Sequence, residues 1–77
     1  MFRAKYIRTK ENRIIVFSAA MQHSSFKNFE PISAGFISFG VGKDGNPDCC
    51  CYGKSVSLQL SSLPDDTEFA MVQIIVF

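Results

Sequence analysis

The chain has 77 residues, 47% of them apolar and 19% charged, with a net charge of +1. That balance excludes a disordered, self-repelling chain, and it excludes a global field that would draw the protein to nucleic acid or to a membrane surface. The length suits one small domain, residues 1–77, and no apolar run approaches the ~20 residues that a membrane-spanning helix needs.

Residues 2–9 alternate, with Phe2, Ala4 and Tyr6 on one face and Arg3, Lys5, Ile7 and Thr9 on the other. This period of two predicts a half-exposed strand. The polar break Lys10-Glu11-Asn12-Arg13 has hairpin length, and Ile14-Ile15-Val16-Phe17 reads as a buried β-branched strand. Residues 18–31 mix Ala19, Ala20, Met21, Phe26 and Phe29 with His23, Ser24 and Ser25. They predict one helical turn or an ordered loop, ended by Pro31.

Residues 32–41 return to a strand with Ile37, Phe39 and Val41 on one face and Ile32, Ala34 and Phe36 on the other. Apolar residues on both faces predict a central strand, and Gly35 and Gly40 predict bending or a bulge. Lys43-Asp44-Gly45-Asn46-Pro47-Asp48 is a turn, in which Pro47 excludes a regular strand. Residues 49–60 follow as one long strand in which Val56, Leu58 and Leu60 alternate with Ser55, Ser57 and Gln59. Ser62 and Asp65 have the spacing of a capping box around Pro64, which predicts a helix over about 63–73. Ile74-Ile75-Val76-Phe77 either continues that helix or forms a last strand. The expected fold is therefore α+β: a small antiparallel four-stranded sheet or open barrel with a C-terminal helix, in the order β-β-loop-β-β-α.

Motifs of chemistry are scarce. Cys49-Cys50-Cys51 and His23 are zinc-ligand types, but on a strand Cys49 and Cys51 face one way and Cys50 the other, and no second cysteine pair closes a tetrahedral site. No metal or cofactor is expected. Three adjacent cysteines also make a poor disulfide framework, which favours a reducing cytoplasm. Gly53-Lys54-Ser55 lacks the earlier glycine of a phosphate-binding loop, because position 48 is aspartate. Asp44, Asn46 and Asp48 lack the glycine and glutamate that complete a calcium loop. With a single histidine and most acids in turns or a helix cap, no catalytic residues are assigned and an enzyme is not expected.

Charge is unevenly distributed. Residues 1–43 hold seven Lys or Arg and two Glu, whereas 44–77 hold one Lys and five acids. Basic and acidic segments lying side by side is one outcome. Another is nucleic-acid binding by the N-terminal hairpin, with Arg3, Lys5, Arg8 and Arg13 on the backbone and Tyr6 stacked on a base.

At Ile14-Ile15-Val16-Phe17, His23-Ser24-Ser25-Phe26, Ser33-Ala34-Gly35-Phe36 and Cys51-Tyr52-Gly53-Lys54-Ser55-Val56-Ser57-Leu58, the chain resembles a set of short proteins from gut-dwelling anaerobic bacteria, some carried on mobile elements. The resemblance implies a cytoplasmic bacterial protein and no catalytic residues. Cys49-Cys50 stands outside its pattern. The expected function is a binding or regulatory module acting on an unidentified protein partner, with nucleic acid as the alternative and no membrane contact. A homodimer is also expected, through an apolar C-terminal helix that would expose Ile75 and Phe77.

Overall fold

The structure, a computed structural model, describes residues 2–76. Strand β1 (Phe2–Thr9) turns back into β2 (Ile14–Phe17), a 3-10 helix covers His23–Phe29, and β3 (Pro31–Val41) turns into β4 (Pro47–Tyr52). Then come the short strands β5 (Lys54–Ser55) and β6 (Leu60–Ser61), helix α1 (Asp66–Val72) and β7 (Ile74–Val76). The main sheet runs β4-β3-β1-β2-β7, while β5 and β6 pair apart from it. Four of its strands are antiparallel; β7 joins parallel to β2, with Ile14 opposite Ile74 and Val16 opposite Val76. The sheet is open, with β4 and β7 at its edges.

The turns form where the residues allow left-handed backbone. Asn12 takes φ 65° in the β1–β2 hairpin, and Gly45 takes φ 82° between β3 and β4. Asparagine and glycine visit that region at least cost. Pro31 opens β3, where its missing N–H removes no interior ladder bond.

Period-two alternation buries both faces of the sheet. On one, Ala4, Tyr6, Ile14, Val16 and Ile37 pack with Ala70 and Phe69 of α1. On the other, Ile7, Ile15, Phe17 and Ala34 pack with Phe26 of the 3-10 helix and with Leu58 and Leu60. Strand β1 is thus central rather than half-exposed. Its neighbours on both sides are strands, and residues 6–9 are buried throughout.

Three further expectations are corrected. Residues 49–60 are not one strand. Gly53, at φ 79°, turns the chain out of the main sheet, and Lys54–Ser55 pairs instead with Leu60–Ser61 across a turn that includes Gln59 at φ 55°. Pro47 does not prevent a strand, since it is the first residue of β4. The helix is short, seven residues from Asp66, and its N-cap Asp65 makes no side-chain capping bond, so the Ser62–Asp65 box does not form. The last segment is strand, and the amphipathic helix reaching Phe77 is absent from 74–76. The side chain of Ile75 and the whole of Phe77 lie outside the described residues, and with them the expected self-association contacts.

Candidate functional site

The helix face of the sheet carries a buried polar cluster. Asp66 is fully buried at the start of α1. Its carboxylate accepts from the Tyr6 hydroxyl, from the Ser33 hydroxyl at 2.9 Å, from the Leu63 N–H at 2.9 Å and from Arg8 at 3.0 Å. Arg8 also donates to Asp65 at 2.7 Å and to Asn12, and its guanidinium lies 4.2 Å from the Phe69 ring centroid. Burial opposes the Arg8 charge, and the two carboxylates outweigh it, so its affinity for the proton is raised. Burial, and then the Asp66 carboxylate, push the Tyr6 hydroxyl far above its ordinary value. Tyr6, Ser33 and Asp66 have no solvent access. The cluster therefore ties α1 to β1 and β3, and Tyr6, Ser33 and Asp66 present nothing to a ligand.

This burial removes two residues from the basic surface read in the sequence. Tyr6 cannot stack on a base, and Arg8 is spent on Asp65 and Asp66. Arg13 is exposed but sits apart, beside Glu11, Asn28 and Glu30.

Arg3 and Lys5 point to the opposite face, where other residues join them. An open groove of about 610 Å³ is lined by Arg3, Lys5, Gln22, His23, Phe36, Tyr52, Gly53, Lys54, Val56 and Ser57. Strand register explains the assembly. Lys5 pairs with Phe36, and Phe36 pairs with Tyr52, so a row of side chains crosses three strands on one face. The Phe36 and Tyr52 rings stack at 6.0 Å and 27°. The Arg3 guanidinium sits 5.1 Å from the Phe36 centroid, within the range of a cation–π contact. Lys5 Nζ donates to the Met21 carbonyl at 2.7 Å, which holds its charge at the groove wall. The turn at Gly53 sets Lys54 beside Tyr52; a Cβ at Gly53 would lie 3.1 Å from the Phe36 ring.

His23 closes the inner end. It is buried between the Phe17 and Phe36 rings, both met edge-on, and its Nε2–H donates to the Gly35 carbonyl at 2.7 Å. Burial lowers its proton affinity, and Lys5 adds to that. A neutral ring with Nε2–H fits this setting.

The cysteines take alternate sides of β4, as the strand period requires. Cys50 is exposed, and Cys49 and Cys51 are half-buried beneath α1. Burial pushes the Cys51 thiol up to about 12 and raises Cys49 as well, which disfavours the thiolates that bind metal or attack a substrate. Among the described residues no three His, Cys, Asp or Glu side chains converge as a metal site.

Sequence reasoning missed Phe36, Tyr52 and Lys54. Each lies on a recognised strand or turn, but only the register of β1, β3 and β4 brings them to Arg3 and Lys5. Among the described residues no helix is long and apolar enough to cross a membrane. No protein-family model, curated protein or solved structure matches this chain.

Proposed function

We propose that the protein is a small non-enzymatic binding module, acting in the cytoplasm, and that the groove of Arg3, Lys5, Phe36, Tyr52 and Lys54 receives an anionic partner. One observation carries this reading: three cationic side chains surround two stacked aromatic rings, and among the described residues no carboxylate lines the groove. Arg8 and Lys10, by contrast, are paired with acids, Arg8 with Asp65 and Asp66 and Lys10 with Glu30. Three uncompensated charges at one site favour a polyanion locally although the net charge is only +1. The absence of an exposed base–nucleophile pair in the groove supports binding over catalysis. Its histidine is buried on a backbone carbonyl, and the exposed thiol, Cys50, is not among the lining residues.

Retention on immobilised heparin tests the assignment. The double variant Arg3→Glu/Lys54→Glu should elute at clearly lower salt than the wild type. Lys27→Glu/Lys43→Glu changes net charge equally but lies outside the groove, and should elute nearer the wild type. Equal shifts for the two variants, or no retention of the wild type, would refute the groove as the binding surface.

A further inference from the structure

Resting on the reading of the groove as a polyanion site, we infer that its partner is single-stranded nucleic acid, with bases stacking on Tyr52 and on the Arg3–Phe36 layer and phosphates meeting Lys5 and Lys54. The ring geometry argues for bases. Tyr52 is 37% exposed on the groove side of the edge strand β4, and its ring is nearly parallel to that of Phe36 beside it. Arg3 extends the same layer, because its guanidinium lies over Phe36. Planar cations and aromatic rings laid out together offer stacking surface for any base, whereas an acidic peptide would use the charges and leave the rings unused. A duplex hides its base faces within its own stack, so only unpaired bases can reach these rings.

The charges are placed to serve such a strand. Lys5 is anchored at the 3-10 helix side through the Met21 carbonyl, and Lys54 stands across the groove after the Gly53 turn. Cations on opposite walls with rings between them suit a chain whose phosphates alternate with flat bases. Val56, 80% exposed at the rim, adds an apolar contact for a base edge. The groove is short, and two or three stacked nucleotides fill it.

Fluorescence anisotropy with a labelled oligothymidine of about 12 nucleotides provides the test, since single-strand sites span roughly 4–16. The wild type should bind it more tightly than a duplex of equal length. Affinity should fall with salt at a logarithmic slope of about −1.4, as two phosphate contacts on a single strand predict. Tyr52→Ala should weaken binding between about 5- and 150-fold, the range for losing one stacked base. Tyr52→Phe should bind like the wild type. Tyrosine emission adds a reporter that does not depend on the size of the affinity change. Oligothymidine should quench the wild type, while Tyr52→Phe, which retains only buried Tyr6, should bind without quenching. An unchanged affinity in Tyr52→Ala, or equal competition by polyglutamate and oligothymidine, would overturn the nucleic-acid inference and leave a charge-only site. Loss of all polyanion binding in the wild type would overturn the groove reading itself.

Discussion

Asp66 is the residue on which the helix side of the protein most depends. One carboxylate takes hydrogen bonds from Tyr6, Ser33, Leu63 and Arg8, and all of it is out of water. Removing one partner of a buried ion pair costs about 3–5 kcal/mol, because the remaining charge is left without its counterpart. A chain of 77 residues has a total stability of roughly 4–11 kcal/mol on the usual per-residue scale. Asp66→Ala should therefore leave a large unfolded fraction or melt far below the wild type. Tyr6→Phe deletes only one donor and should cost about 1–3 kcal/mol. Urea titrations followed by far-ultraviolet circular dichroism can rank the two, and equal small losses would show the cluster to be dispensable. In the sequence, Asp65 was the acid singled out, as the partner of Ser62 in a capping box, and nothing local marked Asp66. Only the inward turn of Asp66 toward Tyr6 and Ser33 distinguishes them, and those partners are 60 and 33 residues away.

The elements meet at edges that need protection. Strand β4 is an edge, and its Cys49 and Cys51 N–H groups donate to side chains, the Asp48 carboxylate at 2.8 Å and Thr67 Oγ1 at 3.0 Å. Such side-chain covers remove the free donors through which edge strands pair with other chains. Thr67→Val should uncover the Cys51 N–H and raise self-association in light scattering, whereas Thr67→Ser should behave as the wild type. Unchanged scattering in Thr67→Val would show that the helix alone shields the edge. On the inner side, Gly35 lets β3 pass under the β4–β5 turn, since a Cβ there would lie 2.4 Å from the Tyr52 carbonyl oxygen. The sequence marked Gly35 as a place of bending; its actual role is this close approach of two backbones. The N-terminal hairpin, the β3 strand and the following turn were legible because alternation and turn chemistry are local. The 49–60 segment was not, because Ser55, Val56, Ser57 and Leu58 keep a period of two through what is in fact a tight turn.

At the scale of the whole molecule, the two faces of the sheet differ in charge. The acids of α1 lie over the helix side of the sheet, where Asp65 and Asp66 hold Arg8, and the groove side keeps Arg3, Lys5 and Lys54. The same layout makes stability depend on pH. His23 has a lowered proton affinity in the fold, so the unfolded chain binds that proton more readily. Its contribution is present above the unfolded value near 6.5 and is lost as pH falls from there. Asp65 is also lowered, through its hydrogen bond to Arg8, and acts below about pH 4 in the same direction, weakly because the pair is half-exposed. Urea midpoints should thus decline from pH 7 to pH 5, and His23→Gln should flatten that decline whatever its effect on the midpoint at pH 7. A wild-type profile that is level over this range would mean that His23 titrates in the fold as freely as it does in the unfolded chain.

Composition and local pattern determined that the chain is a small α+β protein rich in strand, with a hairpin at its start and a turn at Asp44-Gly45. Alternation, glycine and proline act over a few residues, and each leaves its trace in the order of letters. Tertiary structure decided which strand is central, which of two adjacent aspartates is buried, and that Arg3 and Lys5 share a groove with Phe36, Tyr52 and Lys54. These outcomes depend on register between distant strands. A shift of one residue would send every side chain of a strand to the opposite face. Strand β1 carries both outcomes at once, with Tyr6 and Arg8 sealed beneath α1 and Arg3 and Lys5 lining the groove on the other side.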